Sequence, residues 1–290
     1  MVDFFKTRIQ IFRAETKAIL MINNTGKTAL IFGVRNDSSI AWHVAKKLFD
    51  SGCRVAVSYV AETEAEVKAL LAANGMDTEL AYCVDVRNEQ QITDFVNAVH
   101  ERCGKIDYVL HGVAYGNHKV MCSVMPGSQD EPPRYLDIPF EDLVDSFNIS
   151  AYSLLRICRV AEPYLSADAS VLTLTYNASQ RVFPGYSGMG INKAALENIM
   201  IYLAQYFGKA GVRVNAVSAG LVMTTSAGGI KGVRQLRKIG KHTAPLGNIK
   251  AEDVADAALY YFSPLSQRVT GNIHYVDGGF NIMGVSHDED

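Results

Sequence analysis

The sequence predicts a single α/β domain built on a doubly wound parallel sheet of about seven strands. Seven short runs rich in β-branched and apolar residues recur along the 290-residue chain. Several of them are almost continuously apolar, as strands buried on both faces of a parallel sheet are. Longer stretches with helical periodicity separate most of the runs, and this alternation favours one parallel sheet with helices on both faces. In chain order the predicted strands are TALIFGV, RVAVSYV, LAYCVDV, IDYVLHGVA, SVLTLTY, VRVNAVSAG and IHYVDGG.

The ends of the chain differ from the domain between them. Residues 1–24 carry short apolar patches broken by charges and no small-residue cleavage site, so they do not resemble a secretory signal. We expect a helical or flexible leader there, one domain over residues 25–284, and a polar tail over residues 285–290. No run approaches the roughly 18 apolar residues that cross a bilayer, so no membrane span is expected.

Charge and cysteine content exclude several classes of protein. A net charge of −2 argues against a nucleic-acid-binding protein, which would carry a strongly basic face. The five cysteines are scattered, odd in number and contain no Cys-x-x-Cys pair. We therefore expect no disulfide framework and no metal site, but reduced thiols in a cytoplasmic protein.

The turn after the first predicted strand is the candidate phosphate site. Gly33 stands where the chain must turn sharply, but the further glycines of a dinucleotide fingerprint are missing before Gly52. Asp37, Ser38 and Ser39 are suited to cap the following helix, whose free N–H groups and dipole would then face an anion. Helix capping without a ligand is the alternative.

Two further strand ends suggest where an adenosine would lie. The second predicted strand runs into SYVAETE, which offers Val60 and Glu62 but no Arg or Lys for a 2′-phosphate. NADH is therefore favoured over NADPH. The third strand ends in CVDV, which places Asp85 and Val86 at the sheet edge beside a possible adenine, although an aspartate that merely closes a strand would look the same.

Residues 175–197, TYNASQRVFPGYSGMGINKAALE, resemble the active-site segment of short-chain dehydrogenases with one change. In those enzymes a catalytic tyrosine lies four residues before a lysine, and a serine lies 13 residues before the tyrosine. Counted from Lys193, these two positions hold Met189 and Tyr176. A helix that begins near Tyr186 would place Tyr186, Met189 or Gly190, and Lys193 on one face.

The displaced tyrosine suits a different reduction. When a ketone is reduced, hydride arrives at the carbon that carries the oxygen. When a conjugated enoyl thioester is reduced, hydride arrives at the β-carbon and charge develops on an oxygen farther along the substrate. A phenol moved by one helical turn, at Tyr186, could stabilise that enolate, with Lys193 binding the cofactor ribose. The alternative is that Tyr186 is a half-buried core tyrosine.

The combined pattern resembles one known family. Tyr176, PGYSGMGINK, VNAVSAG and VDGGF together resemble the NADH-dependent enoyl-acyl-carrier-protein reductases of bacterial type II fatty-acid synthesis, a Rossmann-type branch of the short-chain dehydrogenases. The likeness extends over about residues 25–284. The Tyr-x6-Lys spacing with methionine four residues before the lysine is its specific element.

The resemblance implies roles for matching positions. Tyr186 would support the enolate, with Tyr176 and Lys193 as the other catalytic residues. Gly116, Tyr176 and Met189 would contact the acyl substrate, and a lid would span about residues 221–248. The implied cofactor-binding residues are Gly33, Ser39, Ile40, Val60, Asp85, Val86, Val113, Lys193, Val222 and Thr224.

Several positions depart from the family pattern. Leu221 stands where relatives usually carry proline, and Met223 where many carry arginine. Gly112 and Ala114 replace the usual serine and glycine after the fourth predicted strand, and the loop at 115–139 is longer than the family norm. Acyl-chain length and inhibitor response are left open by these changes.

A basic run follows the start of the implied lid. Its position at the expected pocket mouth favours docking of an acidic carrier protein that brings the acyl chain, although a solvated charged face is the alternative. The resemblance also implies a homotetramer. The basic residues are Lys231, Arg234, Arg237, Lys238 and Lys241.

Two other functions remain open from the sequence. An ordinary carbonyl reductase or alcohol dehydrogenase of the same fold would need a tyrosine where Met189 stands. A non-catalytic nucleotide sensor would have no need of the Tyr186 and Lys193 pair. The methionine at position 189 and the presence of the Tyr186 and Lys193 pair therefore both favour an enoyl reductase.

Overall fold

The computed structural model describes residues 22–121, 134–183, 185–224 and 233–285, without the side chains of 233–236. Most of the predicted leader, Lys231 and nearly all of the polar tail lie outside the described residues. So does the tip of the long loop, residues 122–133.

The core is one seven-stranded parallel sheet with the strand order β3-β2-β1-β4-β5-β6-β7. All seven predicted strands are found, which confirms the predicted sheet. β5 starts earlier than predicted, because its first residues are partly exposed and lack the apolar run on which the prediction depended. The strands are β1 Thr28–Phe32, β2 Arg54–Tyr59, β3 Ala81–Cys83, β4 Ile106–His111, β5 Leu165–Thr175, β6 Arg213–Ala219 and β7 Ile273–Val276.

Helices cover both faces of the sheet. One face is packed by α1, α2 and α9, and the other by α3, α6 and α7. A π-helical turn, Asn148–Tyr152, joins α5 to α6. The helices are α1 Ile40–Asp50, α2 Glu64–Ala73, α3 Glu89–Cys103, α4 His118–Met121, α5 Phe140–Phe147, α6 Ser153–Ala161, α7 Ser187–Gly208, α8 Val233–Thr243 and α9 Ala251–Tyr261.

The two central strands, β1 and β4, have mostly apolar sequences because both of their faces are covered. Every residue of β1 and of β4 is buried, since helices lie above and below them. Phe32 at the end of β1 packs edge-on against Phe95 of α3, with ring centroids 5.3 Å apart. Burying such side chains stabilises each by about 1.5–3 kcal/mol. The polar exceptions are Thr28 at the start of β1, and Asp107 and His111 in β4.

The strand order fixes the position of a ligand site. From β1 the chain runs outward to β2 and β3 and then returns to β4 on the other side of β1. Ligands of open α/β sheets bind at the carboxyl ends of the strands beside such a reversal. No helix in the described ranges is long and apolar enough to cross a membrane.

Candidate active site

The backbones of β1 and β4 touch where the two strands end. Gly33 has φ +100°, and a Cβ at this position would lie 2.3 Å from the carbonyl oxygen of Gly112. Gly112 N–H donates to the Phe32 carbonyl at 3.0 Å, and a Cβ on Gly112 would lie 2.8 Å from that oxygen. Glycine is therefore required at Gly33 by both its conformation and its contact. The short contact that a Cβ would make at position 112 favours glycine there as well.

The turn between β1 and α1 differs in detail from the capping that the sequence predicts. Ser39 is the N-cap residue of α1, but its hydroxyl makes no capping hydrogen bond. Ser39 Oγ instead accepts the N–H groups of Arg35 at 3.2 Å and Asn36 at 3.1 Å, which closes the turn. The capping prediction is wrong for the Ser39 hydroxyl, because the preceding backbone offers it nearer donors. The positive end of the α1 dipole is thus left for an anion.

The predicted adenosine contacts lie at neighbouring strand ends. Val60 follows β2, Asp85 follows β3, and the pairing of Tyr59 with Cys83 brings these ends together. Asp85 forms an ion pair with Arg87 at 2.8 Å, and this hydrogen bond holds the pKa of its carboxyl below the usual value. Part of the hydrogen-bonding capacity of the Asp85 carboxylate is therefore already used by Arg87.

Val86, Val113 and Ile40 are placed mainly by the core. Val86 is buried, and its carbonyl accepts Arg156 Nη1 at 2.6 Å. Val113 and Ile40 are partly buried and pack on the two core faces. Only their backbone and exposed edges remain for a ligand.

Met189 occupies the position that an ordinary short-chain dehydrogenase gives to its tyrosine. It is 3% exposed, and a Cβ on Gly116 would lie 3.0 Å from its Cγ and Sδ. Its sulfur accepts a hydrogen bond from Ser146 Oγ at 3.4 Å. Met189 and Gly116 were both predicted to face the acyl substrate, and they pack against each other.

Tyr186 stands immediately before α7, in agreement with the prediction of a helix that begins near Tyr186. It is the N-cap, with φ −133°, and its carbonyl accepts the first helical bond from Gly190 N at 2.8 Å. Its ring packs edge-on against Tyr176, with centroids 5.0 Å apart. Tyr176 also packs against Phe183 at 4.7 Å. The structure thus brings together the two tyrosines that the sequence selected.

Lys193 is buried on α7 and reaches the end of β5. It is 4% exposed, and its Nζ donates to the Leu174 carbonyl at 2.8 Å. Burial lowers the pKa of Lys193 to about 8, while the nearby Glu197 carboxylate opposes this shift. Lys193 therefore carries its charge at neutral pH and has donors left for a ligand.

Burial keeps both phenols protonated. It raises the pKa of Tyr186 to about 12. The pKa of Tyr176 is raised by burial first, and then by Tyr186 and Asp277. Two neutral O–H donors are suited to stabilise charge on a substrate oxygen.

His111 is a buried ionisable residue that the sequence analysis missed. Its Nδ1 lies 2.8 Å from Thr173 Oγ1 and its Nε2 lies 2.8 Å from Ser153 Oγ. Burial, followed by the charge of Lys193, lowers the pKa of His111 to about 3. In the sequence, the sign of this site was a histidine at the carboxyl end of a strand that is predicted to be buried.

Glu197 was missed as well. It is 7% exposed, and its Oε1 accepts Thr175 Oγ1 at 2.6 Å. The sequence offers one sign of it, an acidic residue one helical turn after Lys193.

A cavity of about 370 Å³ opens beside Tyr176, within the range of small-molecule sites. It lies between the segment after β5, the segment after β6, the helix α8 and the turn after β7. Its walls are mostly apolar. They include Tyr176, Phe183, Leu221, Ile239, Phe280 and Met283.

A second cavity of about 190 Å³ lies at the phosphate end. Ser38 and Val222 line it together with Arg237 of α8 and Lys250, the N-cap of α9. Val222 is 8% exposed, and Thr224 N–H donates to the Val222 carbonyl at 2.9 Å. Val222, a predicted cofactor residue from after β6, thus lies at the same opening as Ser38 from the turn after β1.

Comparison with known proteins identifies the family. A sequence profile described as Enoyl-(Acyl carrier protein) reductase matches residues 33–281. The chain is 39% identical over 265 residues to the Rickettsia typhi protein named Enoyl-[acyl-carrier-protein] reductase [NADH] FabI, which covers 90% of this chain and 96% of the relative.

Solved structures of the family have the same fold. The enoyl-acyl-carrier-protein reductase of Anaplasma phagocytophilum, solved in complex with NAD, is 34% identical with a TM-score of 0.81, covering 91% of this chain and 95% of that one. FabI from Candidatus Liberibacter asiaticus is 33% identical with a TM-score of 0.84, covering 92% and 100%. The chain belongs to the enoyl-acyl-carrier-protein reductase family.

Proposed function

We propose that this protein is an NADH-dependent enoyl-acyl-carrier-protein reductase of fatty-acid biosynthesis, which reduces the trans-2 double bond of an enoyl thioester. The observation that carries the proposal is the placement of a methionine and a tyrosine at the start of α7. A buried thioether, Met189, fills the position where a carbonyl reductase needs a hydroxyl, while Tyr186 lies beside Tyr176 at the helix N-terminus. The names of the relatives at up to 39% identity support the same reaction and cofactor.

The described residues fit a dinucleotide. Gly33 lets the backbone turn closely at the end of β1, and Ser39 leaves the positive end of α1 open for the pyrophosphate. Val60 and Asp85 would hold the adenosine, and Lys193 would donate to the nicotinamide ribose. Val86, Val113, Ile40, Val222 and Thr224 complete the proposed cofactor site through their backbone and edges.

NADH, when bound, supplies a hydride for the β-carbon of the enoyl thioester. The π electrons of the double bond then move toward the thioester oxygen, and the resulting enolate needs a hydrogen-bond donor. Tyr186 Oη is that donor in our proposal, because its pKa of about 12 keeps it protonated at neutral pH. Tyr176 packs against the Tyr186 ring and fixes its orientation. A proton finally adds to the α-carbon, which completes the saturated product.

The acyl chain would occupy the apolar cavity beside Tyr176. Leu221 and Ile239 are two of its walls, and both belong to the proposed lid at about residues 221–248. Leucine at 221, in place of the usual proline, therefore bears directly on the shape of the acyl site.

Carrier docking is proposed for the basic face of α8. Lys238 and Lys241 are exposed there, which suits an acidic partner. Arg237 lines the second cavity together with Ser38. We therefore propose that Arg237 contributes to the phosphate site as well as to the docking face. Lys231 and the side chain of Arg234, the two other predicted docking groups, lie outside the described residues.

We further propose a cytoplasmic homotetramer. The C-terminal half of α7 exposes Ile201, Tyr202 and Tyr206 at 48%, 69% and 61%. Apolar side chains clustered on one helix face are typical of an interface between copies. The described cysteines are free thiols, as suits a reducing compartment.

The test is a substrate comparison with purified protein. We expect crotonyl and longer enoyl thioesters to be reduced with NADH, more efficiently than with NADPH, and acetoacetyl thioesters to be left unchanged. Turnover of the keto substrate alone would make this protein a carbonyl reductase. NADH binding without turnover of either substrate would make it a nucleotide sensor.

A further inference from the structure

The last two residues of β5 each hold one ionisable side chain of α7. Leu174 accepts Lys193 Nζ at 2.8 Å through its carbonyl, and Thr175 donates its hydroxyl to Glu197 Oε1 at 2.6 Å. Lys193 and Glu197 lie four residues apart on one helix, so their side chains are neighbours. Both are buried, at 4% and 7% exposure.

The two groups compensate each other without a direct ion pair. Among the described residues, the hydrogen bond of Lys193 goes to a carbonyl, and that of Glu197 comes from a hydroxyl. A buried ammonium or carboxylate is costly unless an opposite charge lies close by. The Glu197 carboxylate therefore compensates the buried ammonium of Lys193.

The other ionisable groups of the candidate site are neutral. His111 on β4 has a pKa lowered to about 3, so it carries no charge at ordinary pH. The phenols of Tyr186 and Tyr176 have raised pKa values and are also neutral. Within the described part of the chain, Glu197 is the charged group whose field acts on Lys193.

We propose that Glu197, held in place by Thr175, is a positioning residue that keeps Lys193 protonated for cofactor binding. Burial favours the neutral amine, and Glu197 opposes this effect. The inference rests on the proposed function only in the assignment of Lys193 to the nicotinamide ribose. Thr175 contributes by fixing the carboxylate one turn from the lysine.

The test variant is Glu197→Gln. Its Oε1 can still accept from Thr175, so the shape and this hydrogen bond remain while the charge is lost. The readout is the dissociation constant of NADH, followed by fluorescence titration between pH 6 and 9.5 without substrate. Wild-type affinity should fall above about pH 8. In the variant the fall should begin about one pH unit lower, which weakens NADH binding by about threefold at pH 7.5, by close to tenfold at pH 9, and by less than about twofold at pH 6.

Two further variants separate charge from structure. Glu197→Asp keeps a carboxylate and should retain most of the wild-type pH profile. Glu101→Gln removes an exposed charge on α3 and should change nothing. A Glu197→Gln profile that coincides with wild type would overturn the proposal, whatever its melting temperature.

A thermal experiment covers the case in which cofactor binding is too weak to titrate. At pH 6, where Lys193 stays charged, Glu197→Gln should lower the melting temperature of the wild type, because the ammonium is then uncompensated. In a Lys193→Met background the same change should raise it, since Glu197 then has no counter-charge. A shift of the same sign in both backgrounds would refute charge compensation.

These readouts do not depend on enoyl reduction. If wild type binds NADH but reduces no thioester, the proposed function fails and the role of Glu197 is still measured. If wild type reduces thioesters and Glu197→Gln keeps the wild-type pH profile, the inference alone fails.

Discussion

The rings of Tyr176 and Tyr186 meet edge-to-face at 5.0 Å, at the end of β5 and the start of α7. Neither tyrosine lies at the spacing that an ordinary short-chain dehydrogenase uses. Their contact gives the displaced phenol a fixed orientation, because an edge-to-face pair of this kind is worth about 0.5–1.5 kcal/mol beyond its buried area.

Removing the Tyr186 hydroxyl should impair chemistry and not cofactor binding. We expect Tyr186→Phe to lower kcat for crotonyl thioester reduction by about 10²-fold, the usual effect of losing one donor to a developing oxyanion. The NADH dissociation constant should stay within about twofold. Tyr164→Phe, which removes a phenol hydroxyl at the opposite end of β5, serves as the control. Undiminished turnover by Tyr186→Phe would exclude the enolate role.

Activity should decline on the alkaline side because Lys193 must be charged. The pKa of Lys193 is lowered to about 8, so the ammonium form predominates below that pH and is lost above it. We expect kcat/KM for the enoyl thioester to be level from about pH 6 to 7.5 and to fall tenfold per pH unit well above 8. His111 should not contribute an acidic limb near pH 6.5, since its pKa is about 3. A profile that stays flat to pH 10 would contradict this role for Lys193.

Charge reversal on α8 should affect carrier-linked substrates selectively. Lys238→Glu with Lys241→Glu should raise KM for the carrier-linked enoyl substrate by about tenfold at low salt, because attraction to an acidic partner is lost. KM for a short thioester without the carrier should remain unchanged. Arg268→Glu, a charge reversal at an exposed residue between α9 and β7, is the control for net charge. Equal effects on both substrates would rule out docking by this face.

The apolar face of α7 should hold the oligomer together. Tyr202→Glu places a charge on a side chain that is 69% exposed in the single chain, and we expect a shift from tetramer to smaller species in sedimentation velocity. Tyr135→Glu, on another exposed tyrosine at 55%, should leave the distribution unchanged. A wild-type monomer, or an unaltered tetramer in Tyr202→Glu, would contradict the assignment.

Substitution at Gly33 should destabilise the fold itself. Gly33→Ala must accept φ +100° and a Cβ 2.3 Å from the Gly112 oxygen, which we expect to cost about 2 kcal/mol or more in the free energy of unfolding. Gly208→Ala has open space around its Cβ and lies at the end of α7, so it should be neutral or slightly stabilising. Chemical denaturation measures both, and equal stability of the two variants would exclude the close contact.

The sequence by itself determined the sheet and the key segment. Short runs of β-branched and apolar residues predicted all seven strands, and their alternation with helical stretches predicted the parallel sheet, because both patterns are local properties of the sequence. Spacing along the chain selected Tyr176, Tyr186, Met189 and Lys193, since these residues stand within 18 positions of one another. The same local patterns favoured the family that the comparisons confirm.

Tertiary structure decided the contacts between residues that are distant in sequence. Gly33 meets Gly112, and His111 lies between Thr173 and Ser153, only once the sheet has brought β1, β4 and β5 side by side. The burial that shifts the pKa of Lys193 arises from the same packing. The periodicity of a sequence predicts which face of a helix or strand is apolar. It does not predict which polar group of another element will contact that helix or strand. Such contacts depend on the register of strands and helices, and therefore on the folded chain.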